Sequence, residues 1–143
     1  MIKYLVCFFA FIVVLYIPFL NIWIRKRNDK ANIYRRENPN AVKVYIERTE
    51  LNDLLTVWQV NDKETVMFSE KTKTGFYLLE GENIIDVAYQ WTTVSITNIS
   101  GYETHTAKNV KLKLTVKPNK EYSLSYDHVL KKYKFVEKKF RKW

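Results

Sequence analysis

The sequence has few of the residues on which compact active sites and cofactor sites usually depend. It contains one cysteine, Cys7, and two histidines, His105 and His128, among 143 residues. A single cysteine excludes an intramolecular disulfide and any metal site built from several thiolates. Three glycines are too few for a glycine-rich loop that cradles a phosphate. With only three prolines as well, the chain does not have the composition of a linker or a low-complexity polymer.

The polar residues that are present do not form a recognisable catalytic motif. No serine lies in a G-x-S-x-G context. Asp127 and His128 are adjacent, and adjacent residues of a strand point to opposite faces, so the two are poorly placed to act together. Glu103 and His105 share a face and are the only basis for a hydrolytic alternative, but a metal site needs three or four converging ligands. The sequence therefore predicts no enzyme, no metal site and no cofactor.

One long segment, residues 4–24, "YLVCFFAFIVVLYIPFLNIWI", has no charge. A helix of this length spans the hydrocarbon layer of about 30 Å, and Tyr4 and Trp23 lie where aromatic rings favour the headgroup region. Pro18 is tolerated in membrane helices. A buried core helix is the alternative, but it would be long for so small a domain, and no small-residue cleavage triplet follows. We predict an uncleaved single-pass anchor over residues 1–24.

A cluster of cations follows the anchor. Residues 25–40 are predicted to be a basic juxtamembrane linker that is helical at its start and stopped by Pro39. The cations of this segment are Arg25, Lys26, Arg27, Lys30, Arg35 and Arg36. Cations near a membrane span favour the cytoplasm, so the flanking charges predict a cytoplasmic C-terminal domain.

From Ala41 onward, apolar residues recur with the period of two that is typical of strands. In "VKVYIER" (42–48), Val42, Val44 and Ile46 share one face. "LTVWQV" and "TVMFS", joined by the turn "NDKE", predict a hairpin over residues 55–69. "LNDLLTVW" also fits helical spacing, but Thr56 and Val57 favour a strand from residue 55.

The second half of the chain continues the same alternation. Further strands are predicted within residues 76–91, with a break at Gly81, and within residues 109–116, 121–127 and 132–138. Many short strands with regular turns are typical of a sandwich. We therefore predict a mainly β fold, with an antiparallel β-sandwich of transthyretin-like or immunoglobulin-like type over residues 41–137.

Three stretches carry a resemblance to a known family: "VYIER" (44–48), "GFYLLEGENIIDVAY" (75–89) and "VKLKLTVKPNKEYSLSYD" (110–127). In the order of their strands and turns they resemble a bacterial family of unknown function whose membrane-tethered or lipoprotein members carry a transthyretin-like (prealbumin-like) sandwich. The resemblance covers about two-thirds of the chain by pattern and implies the fold, without supplying a catalytic residue. It also leaves an extracytoplasmic domain open, because many relatives are exported.

Charge is unevenly distributed along the chain. Residues 44–103 carry four Lys/Arg against ten Asp/Glu, whereas residues 104–143 carry twelve against three. The basic tail, residues 138–143, combines cations with aromatic rings, which suits an anionic bilayer or a nucleic acid. The residues predicted to contact an anionic surface are Arg25, Lys26, Arg27, Lys138, Lys139, Arg141, Lys142 and Trp143.

These features predict a non-enzymatic membrane protein that displays its β-domain for interaction or assembly. In this interpretation the chain is a subunit or accessory factor of a membrane complex, and its partners are membrane lipid and an unidentified protein. The alternative is a protein that binds anionic lipid or nucleic acid through its basic ends, with lipid favoured because the anchor already holds the tail near the bilayer.

Overall fold

A computed structural model describes residues 2–48, 53–97 and 101–139. The chain forms one long helix followed by strands, so the domain after the helix is mainly β. The elements are α1 (Ile2–Glu37), β1 (Val42–Ile46), β2 (Leu54–Val60), β3 (Lys63–Glu64), β4 (Met67–Glu70), β5 (Lys73–Leu78), β6 (Gly81–Val94), β7 (Tyr102–Val116), β8 (Glu121–Asp127) and β9 (Lys132–Glu137).

The helix α1 is longer than a membrane span. Its 36 residues extend about 54 Å at 1.5 Å per residue, and its apolar window is long and hydrophobic enough to cross a bilayer, with none of it buried. The helix continues through most of the segment expected to be a linker and ends at Glu37. Its last turn is closed by Asn38, whose N–H and side-chain amide both donate to the Tyr34 carbonyl, at 2.8 and 3.0 Å. Pro39 then ends the helix, as the sequence predicts.

The strands form two sheets. One has five strands in the order β4-β5-β1-β8-β9, and the other has four in the order β3-β2-β6-β7. The pair β1–β8 is parallel, with Val44 opposite Tyr122. The other strand pairs among the described residues are antiparallel. The expected antiparallel arrangement is therefore wrong at this one pair. The chain passes through β6 and β7 of the other sheet before it enters β8, which then runs in the same direction as β1.

The predicted hairpin over residues 55–69 is wrong in its second half. β2 does turn back at Asn61 and Asp62, which have the positive φ angles of a tight hairpin turn. Its return strand is β3, only two residues long. The chain then crosses to the other sheet, where β4 pairs with β5. Phe68 finds its apolar neighbours there, against Tyr45 and Tyr77.

The inward-facing residues of both sheets form one core. β1 contributes Val42 and Val44, and the facing sheet contributes Ile85, Val87 and Tyr89. The remaining buried members are Leu55, Val57, Phe76, Leu78, Leu114, Val116, Tyr122, Leu124 and Tyr126. The period of two in the sequence places these residues on the inner faces, and their removal from water is the main force that holds the sheets together.

A second, smaller cluster lies on the outer face of the five-stranded sheet. Ala31 of α1 is 3% exposed and packs with Tyr45, Phe68 and Tyr77. Tyr34, one turn later, places its ring 5.9 Å from that of Tyr77. The C-terminal third of α1 is therefore packed against the β-domain.

Candidate functional site

The place where α1 meets the domain is held by polar as well as apolar contacts. The Arg27 guanidinium donates a hydrogen bond to the Ser69 hydroxyl. The Ser69 N–H donates to the side-chain oxygen of Asn28 at 3.2 Å. Because both contacts join the helix to β4, the residues just beyond the apolar segment are fixed relative to the sheet. We call this region the junction.

The contacts also show which end of the domain lies near the apolar segment of α1. Tyr34 packs on Tyr77, whose register partner in β1 is Lys43. Arg27 contacts Ser69, which pairs with Thr74, the register partner of Ile46. From Arg27 to Tyr34 the helix advances seven residues, and from Ile46 back to Lys43 the strand spans three, and each distance is about 10 Å. The helix α1 and the strand β1 therefore run side by side in opposite directions. The Ile46 end of the domain is therefore the end nearer the apolar segment of α1, and we call it the membrane-proximal end.

A cleft of about 790 Å³ opens at this end, and we call it the junction cleft. Its charged lining residues are Arg27, Arg48, Lys73, Lys138 and Glu47. Lys138 pairs with Glu47, the one acid among the described lining residues, at 3.2 Å. Among the described lining residues, three positive charges remain in excess, which makes this part of the cleft suited to an anion.

The junction cleft lies close to the end of the apolar segment. The Arg27 guanidinium stacks 4.6 Å from the ring centroid of Trp23. A smaller cavity of about 390 Å³ beside it is lined by Trp23, Lys26, Lys30 and Met67, among others. Arg27 lies only three residues, about 4.5 Å along the helix axis, beyond Ile24, the last residue of the apolar segment.

The floor of the junction is an ordered polar network. Glu70 accepts a hydrogen bond from the Lys43 ammonium and another, of 3.0 Å, from the Tyr45 hydroxyl. The hydrogen bond from Lys43 holds the pKa of the Glu70 carboxyl below its usual range. Burial, together with the hydrogen bond to Glu70, raises the pKa of the Tyr45 hydroxyl. Two cations, Lys73 and Lys138, approach the Tyr45 ring at 5.8 and 4.4 Å from its centroid.

The structure brings together only part of the predicted contact set. Arg27 and Lys138 line the same cleft, although they are far apart in the sequence. Arg25 and Lys26 are exposed on α1, and Lys139 is exposed after β9. Arg141, Lys142 and Trp143 lie outside the described residues, so their contact with a membrane stays a prediction.

The backbone at the start of the tail lies at the opposite end of the domain from the junction cleft. The Lys138 N–H donates to the Glu121 carbonyl at 2.7 Å, and Glu121 is level with Lys43, at the membrane-distal end. The side chain of Lys138 turns back over the Tyr45 ring and reaches the Glu47 carboxylate. The tail therefore contributes to the junction cleft through one long side chain.

Sequence reasoning missed Arg48 and Lys73. Arg48 follows β1 and Lys73 begins β5, and no local pattern distinguishes either residue from other surface cations. The register that sets Ile46 opposite Thr74 brings the two strand ends together. Only knowledge of how the strands pair could have identified these two residues.

Both histidines are part of an aromatic stack that the sequence did not indicate. Trp91 stacks on His105, with ring centroids 5.3 Å apart, and on His128 at 6.0 Å. The Thr93 hydroxyl lies 2.9 Å from His105 Nε2. Among the residues that the structure describes, no group of three His, Cys, Asp or Glu side chains is arranged to hold a metal ion. The stack ties the β6–β7 hairpin to the turn after β8.

Comparison with protein-family models, curated proteins and solved structures finds no match to this chain. The resemblance to a transthyretin-like family therefore stays a prediction, and function is inferred from the geometry.

Proposed function

We propose that this chain is a non-enzymatic, single-pass membrane protein that displays a β-sandwich as an interaction or assembly module of a membrane complex. In this proposal the two sheets form a sandwich of the transthyretin-like type, and residues 1–24 are the anchor. The cations that follow the anchor favour a cytoplasmic domain.

The observation that carries the proposal is the docking of the domain on its own anchor. A flexible tether would let the domain tumble above the bilayer, as linkers of this length do. Here the helix that crosses the membrane also packs against the sheet through Ala31 and hydrogen-bonds to it through Arg27 and Asn28. Such an arrangement presents one fixed orientation of the domain to neighbours in the membrane, which suits assembly.

A second candidate function is the binding of anionic lipid, and the junction cleft favours it. The described lining of the cleft has three cations in excess of acids, and Arg27 in it lies within a turn of the end of the apolar segment. Each cation near an anionic surface contributes about 1 kcal/mol of attraction. Lipid is favoured over nucleic acid because the anchor places the cleft at the headgroup layer.

Copurification from membranes tests both functions. The full-length chain, tagged at its C-terminus, is extracted in a mild detergent, and mass spectrometry identifies the proteins and lipids that remain bound. We expect a membrane-protein partner in fixed proportion and an anionic lipid. Exchanging Arg48→Gln and Lys73→Gln together should remove the lipid and retain the partner.

The matched control changes two lysines outside the cleft. Lys111→Gln with Lys113→Gln removes the same charge from pairs with Asp62 and Glu82 on the other sheet, and both bound species should persist. Recovery of the chain without a partner would contradict the assembly role. Equal lipid retention by the cleft variant would contradict the lipid role.

A further inference from the structure

The β6–β7 hairpin extends well beyond the sheet to which it belongs. β2 pairs with β6 only as far as Leu54 opposite Gln90. Beyond that point, residues 91–94 pair, among the residues that the structure describes, with residues 102–105 alone, and the Ser95 N–H donates to the Gly101 carbonyl at 2.9 Å. From Gln90 to Val94 this two-stranded arm adds about 13 Å. We call residues 91–97 and 101–105 the arm.

The arm projects from the membrane-proximal end of the domain. Leu54, which marks the level where the arm begins, lines the junction cleft together with Ile46 and Arg27. β6 runs toward Leu54 and continues past it in the same direction. The arm and the membrane segment of α1 therefore extend to the same side of the domain.

The turn between β8 and β9 extends to that side as well. β8 runs parallel to β1, with Leu124 opposite Ile46, and continues past this level to Asp127. The Asp127 carboxylate then accepts hydrogen bonds from the N–H groups of Val129 and Leu130, at 3.1 and 3.0 Å.

Trp91 holds the arm and the turn together. Its ring stacks on His105 within the arm and on His128 in the turn, and lies 6.1 Å from Tyr126. The arm and the turn are therefore two neighbouring projections with a shared packed base.

Both projections end in exposed apolar side chains. In the arm, Val94 is 80% exposed, Ile96 is 101% exposed and Tyr102 is 59% exposed. In the turn, Val129 is 78% exposed and Leu130 is 58% exposed. Scattered exposed apolar residues are ordinary, but five among the described residues of two projections that extend to the side of the proposed anchor are a concentrated feature.

Cations lie at the base of the tips. Lys108, Lys131 and Lys132 line a cleft of about 670 Å³ whose floor includes Trp91 and Tyr133. Apolar tips with cations behind them are the combination that inserts at a bilayer interface while the charges meet the headgroups.

The length of the arm matches the depth of the bilayer surface. Arg27 lies level with the start of the arm, because it lines the junction cleft together with Leu54. A distance of about 13 Å from Arg27 toward the N-terminus of α1 corresponds to about nine residues and ends near Pro18. That position is within the apolar segment of the helix. The arm is therefore long enough to reach below the headgroups of the membrane that holds α1.

We propose that the tips of the arm and of the β8–β9 turn insert into the same bilayer as the anchor, so that the domain contacts the membrane at three places. This rests on the proposed single-pass anchor. The tips contact the boundary between headgroups and acyl chains. A second copy of the chain in that place is an outcome that the experiment detects.

Depth-dependent quenching of a fluorophore tests the proposal in the full-length chain, reconstituted at one copy per lipid nanodisc. Cys7→Ser supplies a cysteine-free background. NBD is then attached at Ile96→Cys or Leu130→Cys, and the discs contain lipid with a nitroxide either near the headgroup or near the acyl-chain end. We expect blue-shifted emission at both positions, with stronger quenching by the shallow nitroxide.

Two further positions separate failure of this inference from failure of the anchor. NBD at Leu15→Cys, in the middle of the apolar segment, should be quenched by the deep nitroxide. NBD at Lys117→Cys, at the membrane-distal end, should not be quenched by either. Quenching at residue 15 but not at residues 96 and 130 would overturn the inserted tips alone. Absence of quenching at residue 15 would overturn the anchor and the tips together. Quenching at residues 96 and 130 that appeared only with two copies per disc would assign the tips to a second copy instead.

Discussion

At the scale of the residue, the docking face of the sheet depends on Gly75. The ring of Phe68 crosses directly above this glycine, and a Cβ there would lie 2.6 Å from the Phe68 ring and 2.4 Å from the Val44 carbonyl oxygen. The backbone oxygen cannot move aside as a flexible side chain can. The absence of a side chain at Gly75 therefore lets Phe68 pack with Tyr45 and Ala31.

Gly75→Ala is accordingly expected to destabilise the domain by about 1–3 kcal/mol, the usual cost of forcing an atom into a packed site. Thermal unfolding of the full-length protein in detergent, followed by circular dichroism, measures the change. Thr115→Ala, at an exposed strand position, serves as the control and should stay within about 0.5 kcal/mol. A melting temperature for Gly75→Ala equal to that of the control would refute the tight approach.

At the scale of the element, the β8–β9 turn is organised by one carboxylate. Asp127 accepts from the Lys134 ammonium at 2.7 Å in addition to its two backbone donors. The hydrogen bond from Lys134, followed by that from the Leu130 N–H, lowers the pKa of Asp127 from 3.8 to about 2. A folded-state pKa below the unfolded value means that the stabilisation is present above about pH 4 and is lost as the pH falls to about 2.

Carboxyl chemical shifts in a pH titration by NMR measure this value directly. We expect Asp127 to titrate near pH 2, and the Val129 and Leu130 amide signals to shift with it. Lys134→Ala should raise the pKa of Asp127, because it removes the largest cause of the shift. A titration of Asp127 at its ordinary value in the unmodified protein would show that the turn is not held in this way.

The elements differ in how far the sequence predicts them. The period of two located β1 and β8 well, because in each strand every second residue is apolar and enters the core between the sheets. It did not predict that β4 would leave β2 for the other sheet, since that depends on where Phe68 packs. It also did not fix how far α1 would extend beyond the apolar segment, because burial of Ala31 against the sheet is a tertiary contact.

At the scale of the whole molecule, the candidate site shows the same limit. The cations after the anchor were evident from the sequence, and Arg27 among them lies in the junction cleft. Arg48, Lys73 and Lys138 join it only because strand pairing and a folded-back side chain bring them there. A sequence reveals a charged segment more readily than it reveals which charges converge.

The central claim is that the β-domain is docked on its own anchor, and disulfide trapping in isolated membranes tests it most directly. In the Cys7→Ser background, Asn28→Cys with Ser69→Cys places two thiols where the side chain of residue 28 contacts the backbone of residue 69. We predict rapid disulfide formation on mild oxidation, seen as a shift in electrophoretic mobility that reductant reverses. Asn32→Cys with Ser69→Cys is the control, because Asn32 is exposed on α1, and it should form little disulfide. Failure of the first pair to form a disulfide, or equal yields from both pairs, would contradict the docked arrangement.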